Sequence, residues 1–201
     1  MQENLSTHPY SHQVTTITFH PLKISKTTMH NFILSIFFLL NLSLALGQES
    51  ESREYIVKVG DKAPNFTANL TDGNVLSLAE LKGKVVMLQF TASWCSVCRK
   101  EMPIIEKEIW EKHKKNGLII IGIDRDEPLE TVIEFGKKMK VTYPLALDPN
   151  ADIFGLYAHK KSGITRNVII DKNGKIAYLT RLFERNEFNE MKKVINNLLI
   201  K

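Results

Sequence analysis

Residues 85–99 read Val85-Val-Met-Leu-Gln-Phe-Thr-Ala-Ser-Trp94-Cys95-Ser-Val-Cys98-Arg99. The first part, Val85–Phe90, is a nearly unbroken apolar run, the pattern of a strand covered on both faces. From Ser96 the periodicity changes. Cys98, Met102, Ile105 and Ile109 recur at intervals of four, three and four, which lines one face of a helix. Pro103 falls inside that helix and predicts a kink, and Gly117 predicts its end. Two thiols therefore stand where a buried strand gives way to a helix, and this junction decides how the rest of the chain is read.

Downstream, Leu118–Asp124 (LIIIGID) is a second buried strand. Leu129, Val132, Ile133, Gly136 and Met139 mark one side of another helix, and Pro144–Leu147 reads as a short strand. Val168–Ile170 and Ile176–Thr180 flank Asp171-Lys-Asn-Gly174, a hairpin signal. A last helix carries Phe188, Met191, Ile195, Leu198 and Leu199 inward. Upstream, Tyr55–Val59 reads as a short strand. Asp72-Gly73 turns between Phe66–Leu70 and Val75–Leu78, and Ser77 with Glu80 forms a capping box for a short helix. Apolar strands alternating with amphipathic helices imply an α/β fold: a central mixed sheet flanked by helices, with an N-terminal β-hairpin extension. The closing hairpin supplies antiparallel edge strands.

The chain has 201 residues, 43% hydrophobic and 24% charged, which suits one folded domain and argues against wholesale disorder. Two cysteines exclude a disulfide-stapled miniprotein and a four-cysteine zinc module. Net charge is +5, with bases scattered among acids, so no nucleic-acid partner is expected.

Residues 1–47 hold a single acid, Glu3, and two bases, Lys23 and Lys26. Phe32–Leu46 is a mostly apolar stretch of 15 residues, the length of a secretory h-region and short of the roughly 20 residues of a bilayer span. Ala45-Leu46-Gly47 fits a cleavage site. The expected organisation is a non-native or long leader over 1–28, a signal peptide over 29–47 beginning at Met29, and one domain over 48–201. An uncleaved membrane anchor is the other reading of the same segment. Export to the periplasm or the extracytoplasmic face follows from either.

Two thiols three residues apart at a helix N-terminus are within bonding distance of one another. The unpaired N–H groups and the positive end of the helix dipole favour thiolate over thiol at Cys95, and Cys98, one turn inside, would resolve a mixed disulfide. An inert bridge closing so short a loop would remove little chain entropy. A metal site would need ligands beyond the pair, and His113 and His159 are the only histidines after residue 47. No metal and no cofactor is expected.

Several segments together resemble exported thioredoxin-like proteins of the TlpA/ResA type. These are Gly60-Asp-Lys-Ala-Pro-Asn-Phe66, Leu81-Lys-Gly-Lys84, Phe90–Pro103 around the cysteines, and Ile169-Ile-Asp171-Lys-Asn-Gly174. The resemblance implies a thioredoxin fold and reduction of disulfides in exported proteins, in some relatives during cytochrome c maturation. It also implies electrons from a membrane thiol-disulfide donor. It assigns a functional glutamate to Glu101, while Trp94, Ser96, Val97 and Thr165 become the wall of the site. A monomer is expected. Three departures stand out. Val97 replaces a proline usual in relatives, Thr165 occupies the place of the cis-proline that faces the cysteines, and Gln89 stands where thioredoxin buries an acid. A cis bond before a non-proline residue costs about 2.5–4 kcal/mol, so Thr165 is expected trans. Glu101 has an alternative reading as an exposed helix glutamate.

Two other activities share parts of this pattern. A peroxiredoxin-like peroxidase shares the Ala-Pro-x-Phe opening, but its pattern requires Thr or Ser three residues before the cysteine, where this chain has Ala92. A thiol-bearing chaperone or copper carrier would use a longer cysteine spacing and a distal histidine.

Overall fold

The computed structural model describes residues 53–200. The leader and signal readings lie outside the described residues. Thr67–Asn69 (β1) and Val75–Ser77 (β2) form the expected antiparallel hairpin. A five-stranded sheet follows, built from Val85–Thr91 (β3), Leu118–Arg125 (β4), Leu145–Asp148 (β5), Arg166–Ile170 (β6) and Ile176–Arg181 (β7). Its spatial order is β5-β4-β3-β6-β7. The β3–β4 and β4–β5 pairs are parallel and the β3–β6 and β6–β7 pairs antiparallel, so the sheet is mixed, as expected. One expectation is corrected: of the closing hairpin only β7 is an edge strand. β6 lies between β3 and β7 with all five residues buried.

Three helices carry the layers: Ser96–Ile105 (α1), Leu129–Met139 (α2) and Arg185–Ile200 (α3). β3 is buried along its whole length and its side chains alternate between two clusters, as a strand's period of two requires. Val85 and Met87 join Met102, Ile105, Val132, Phe135, Phe188, Met191 and Ile195 from the helices. Val86, Leu88 and Phe90 face the opposite cluster, with Tyr55, Phe66, Ala68, Phe154 and Tyr157. Full burial of each such side chain is worth about 1.5–3 kcal/mol. The strand is thus fixed from both sides.

The helix stripe Cys98, Met102, Ile105 and Ile109 is buried as the spacing predicts. Pro103 has no N–H for the Arg99 carbonyl, and regular winding loosens one turn later into a π-helical turn, Glu106–Trp110, before the helix resumes to His113. On α2 the pattern differs in part: Leu129, in the first turn, is exposed, and Phe135 is buried with Val132 and Gly136. Leu145 packs into the gap between two glycines. A Cβ on Gly122 would lie 2.5 Å from Leu145 Cδ2, and one on Gly136 would lie 2.7 Å from Leu145 Cδ1.

Two upstream expectations are corrected. Tyr55–Val59 is no strand; Tyr55 makes a single antiparallel bridge to Ala158. Its ring is held by the core, and its hydroxyl donates to the Thr180 carbonyl at 2.7 Å. Ser77 and Glu80 form no capping box. Leu78–Leu81 is a single 3-10 turn and the Ser77 side chain makes no capping hydrogen bond, because a helix this short has little helical backbone to cap.

Candidate active site

β3 ends at Thr91 and α1 begins at Ser96. The turn between them is closed by the Cys95 N–H, which donates to the Ala92 carbonyl at 3.1 Å. Cys95 is the N-cap of α1. Its sulfur accepts the Cys98 N–H at 3.1 Å, which satisfies one of the donors a helix start leaves free. Cys95 and Cys98 are joined by a disulfide, with Cα atoms 5.3 Å apart. Cys98 is fully buried and Cys95 is 7% exposed. Any approach from solvent therefore reaches Cys95 first.

Thr165 lies immediately before β6, opposite the pair. Its hydroxyl is 3.1 Å from Cys95 Sγ and 3.3 Å from Cys98 Sγ. The peptide bond before it is trans, as the missing proline led one to expect. Its carbonyl accepts the Leu182 N–H at 3.1 Å, which ties this loop to the end of β7. Trp94 is 54% exposed beside the pair, with the Arg125 guanidinium 6.0 Å from its ring centre. Ser96 is exposed, and Val97 packs partly buried against the cluster that contains both cysteines.

Glu101 does not lie on the surface, so its alternative reading as an exposed helix glutamate is overturned. It is 1% exposed, one turn beyond Cys98, and accepts a hydrogen bond from Asn167 Nδ2 at 2.7 Å. Burial pushes its carboxyl up to about 7, against the lowering influence of Asn167 and Gln89. Asn167 is held in turn by Thr180 Oγ1 at 2.9 Å. Gln89, where thioredoxin buries an acid, accepts the Tyr143 hydroxyl at 2.6 Å. A buried polar chain thus runs behind the disulfide from Thr180 of β7 through Asn167 of β6 to Glu101 of α1.

Several residues of this region were not singled out from the sequence. Asn167 and Arg166 interrupt an apolar strand, which is itself a signal, since buried polar groups need partners. Arg166, fully buried next to Thr165, donates to the Arg53 carbonyl at 2.6 Å and to Ser162 Oγ at 3.0 Å, and pairs with Glu54. It anchors residues 53–55 behind the Thr165 loop. Asp124 and Glu127, at the end of β4, are buried near the turn that carries the cysteines, and their neighbourhood could not be read from local pattern. Among the described residues no group of three or more His, Cys, Asp or Glu side chains is arranged to hold a metal ion.

Comparison with known proteins places this geometry among relatives. A family model described as Redoxin matches residues 58–195. The thiol-disulfide oxidoreductase ResA of one Bacillus cereus strain is 37% identical over 120 residues, covering 60% of this chain and 68% of the relative. ResA of a second Bacillus cereus strain is 34% identical over 151 residues, covering 73% and 86%. Among solved structures, a candidate protein disulfide isomerase from Bacteroides thetaiotaomicron is 60% identical with a TM-score of 0.72, covering 74% of this chain and 94% of that one. A candidate thiol:disulfide interchange protein DsbE from Chlorobium tepidum is 27% identical with a TM-score of 0.64, covering 71% and 99%.

Proposed function

The chain belongs to the redoxin family, with the thioredoxin-like fold of its ResA-type thiol-disulfide oxidoreductases, and from that premise we infer that it is a thiol-disulfide oxidoreductase acting through Cys95 and Cys98. The observation that carries this reading is the Cys95–Cys98 disulfide at a helix N-terminus, with Cys98 fully buried and Cys95 retaining 7% exposure.

In the reduced protein the Cys95 thiolate attacks one sulfur of a substrate disulfide. A Cys95–substrate disulfide forms, and the displaced substrate thiolate takes a proton. Cys98, deprotonated, then attacks Cys95 Sγ. The internal disulfide forms and the second substrate thiol leaves. The substrate gains two electrons, which the dithiol loses, and an external dithiol must return the pair to its reduced state.

The helix N-terminus stabilises the attacking thiolate. The Thr165 hydroxyl, within hydrogen-bond reach of both sulfurs, donates to whichever carries the negative charge. Glu101 exchanges the proton of Cys98: a carboxyl titrating near 7 is able to hold or release a proton at working pH. Trp94, Ser96 and Val97 are assigned to the wall against which the substrate docks.

Disulfide-bearing exported proteins are the proposed substrates and a membrane thiol-disulfide carrier the proposed donor, with residues 29–47 acting as the export signal. The peroxidase and copper-carrier readings are not favoured. The test is catalysed reduction of insulin disulfides by dithiothreitol. The wild type accelerates it and Cys95→Ser does not; equal rates for the two would remove the reading. The redox state of the pair in the native cell gives the direction, with a mostly reduced pair expected.

A further inference from the structure

Ser93, two residues before Cys95, has all three of its polar groups held. Its N–H donates to Glu127 Oε2 at 2.6 Å, and its hydroxyl donates to Glu127 Oε1. Its carbonyl accepts from Arg99 Nη1 of α1 at 2.5 Å. The two Glu127 contacts reach Ser93 from a segment 34 residues away. Glu127 follows β4 and is 9% exposed. The chain reaches Ser93 because Asp126 adopts a left-handed conformation, φ 64°, with its N–H donating to the Asp148 carbonyl at 3.1 Å. A non-glycine residue in that region is uncommon and needs its surroundings to hold it there.

We propose that Glu127 is a positioning residue for disulfide exchange, holding Ser93 so that the Trp94–Cys95 step of the turn keeps the geometry from which Cys95 attacks. The inference rests on the dithiol reading above. Glu127 acts through Ser93 and does not touch the sulfurs.

The charges around it are consistent with an acceptor. Asp124, on β4, has its carboxyl buried against Glu127, and burial together with Glu127 pushes its titration up to about 9. Asp124 therefore keeps its proton at neutral pH. The other charged groups at hand are Asp126 and Arg125, ion-paired to each other at 2.7 Å on the same segment. Arg99 approaches from α1, and Asp148 from the end of β5. A hydrogen bond to a charged group contributes more than one between neutral groups, so losing two at one turn is expected to show in the rate.

The experiment measures insulin reduction and the alkylation rate of Cys95 per folded molecule, with folding followed by circular dichroism. Glu127→Ala is expected to slow exchange about tenfold. Glu127→Gln, which keeps an oxygen for the Ser93 N–H, is expected to recover to within about threefold of wild type. Ser93→Ala loses only the hydroxyl contact and is expected to slow exchange about threefold. The double variant Ser93→Ala/Glu127→Ala is expected to be no slower than Glu127→Ala alone, because both changes break the same link. Wild-type rates in Glu127→Ala, no rescue by Gln, or losses that multiply in the double variant would overturn the proposal. If Glu127→Ala does not fold, Ser93→Ala decides: a wild-type rate there overturns it. Absence of exchange in the wild type would instead remove the dithiol reading itself.

Discussion

The Thr165 hydroxyl stands 3.1 Å from Cys95 Sγ and 3.3 Å from Cys98 Sγ, although Thr165 and Cys95 are 70 residues apart in the chain. A single hydroxyl can therefore serve each sulfur at the moment it carries charge. Thr165→Val keeps shape and removes the donor. The variant is expected to move the midpoint of Cys95 alkylation to higher pH and to slow exchange about fivefold at pH 7. Iodoacetamide alkylation of the reduced protein across pH 4–10 checks this, and an unchanged midpoint would show that the hydroxyl does not stabilise the thiolate.

Cys98 is fully buried while Cys95 keeps 7% of its surface exposed, so the order of attack is set by access. Cys98→Ser is expected to accumulate mixed disulfides through Cys95, seen as adducts on a non-reducing gel that dithiothreitol removes. Cys95→Ser is expected to give few, because its remaining thiol is covered. Equal trapping by the two variants would reverse the assignment.

Glu101 titrates near 7 in the fold and near 4.5 in an exposed setting. Folding therefore takes up a proton between those values. The contribution is fully present below pH 4.5 and is lost as pH rises through 7. Glu101→Gln mimics the protonated form at every pH. It is expected to flatten this part of the stability profile and to leave the variant more stable than wild type at pH 8, by up to about 3 kcal/mol. It is also expected to slow disulfide exchange and to shift the cysteine titration. Urea unfolding at pH 4.5, 6 and 8 tests the first part, and pH–rate profiles of exchange test the second.

Leu145 fills the space left by Gly122 on β4 and Gly136 on α2. Gly122→Ala or Gly136→Ala forces the leucine aside and is expected to destabilise by about 1–3 kcal/mol. Combining Gly122→Ala with Leu145→Ala is expected to destabilise less than the sum of the two single changes, since the added methyl enters the cavity the leucine leaves. Thermal unfolding of the three variants measures this, and strict additivity would refute the packing account.

Much of the fold was legible because its signals are local. The VVMLQF run, the 4-3-4 stripe that follows it and the Asp-Lys-Asn-Gly turn each specify an element within a few residues. The misreadings also have local causes. Tyr55–Val59 looks like a strand by composition, yet Tyr55 is fixed by its hydroxyl and its ring, with only one bridge to a neighbour. Leu129 fits the apolar period of α2 but falls in its first turn, which the core does not reach, and Phe135 takes the buried place.

For the site, the sequence by itself determined the cysteine pair, its place at a strand–helix junction, and the absence of proline at Val97 and Thr165. These depend on spacing and residue identity alone. Only the tertiary structure decided what surrounds the pair. A helical pattern places Glu101 on a face next to that of Cys98 but cannot say what covers that face; Asn167 of β6 does, and burial then moves its titration into the working range. Likewise Glu127 meets Ser93 only because a left-handed residue after β4 turns the chain back toward β3. Contacts between residues tens of positions apart follow from how the sheet is ordered, and that order is a property of the whole packed chain.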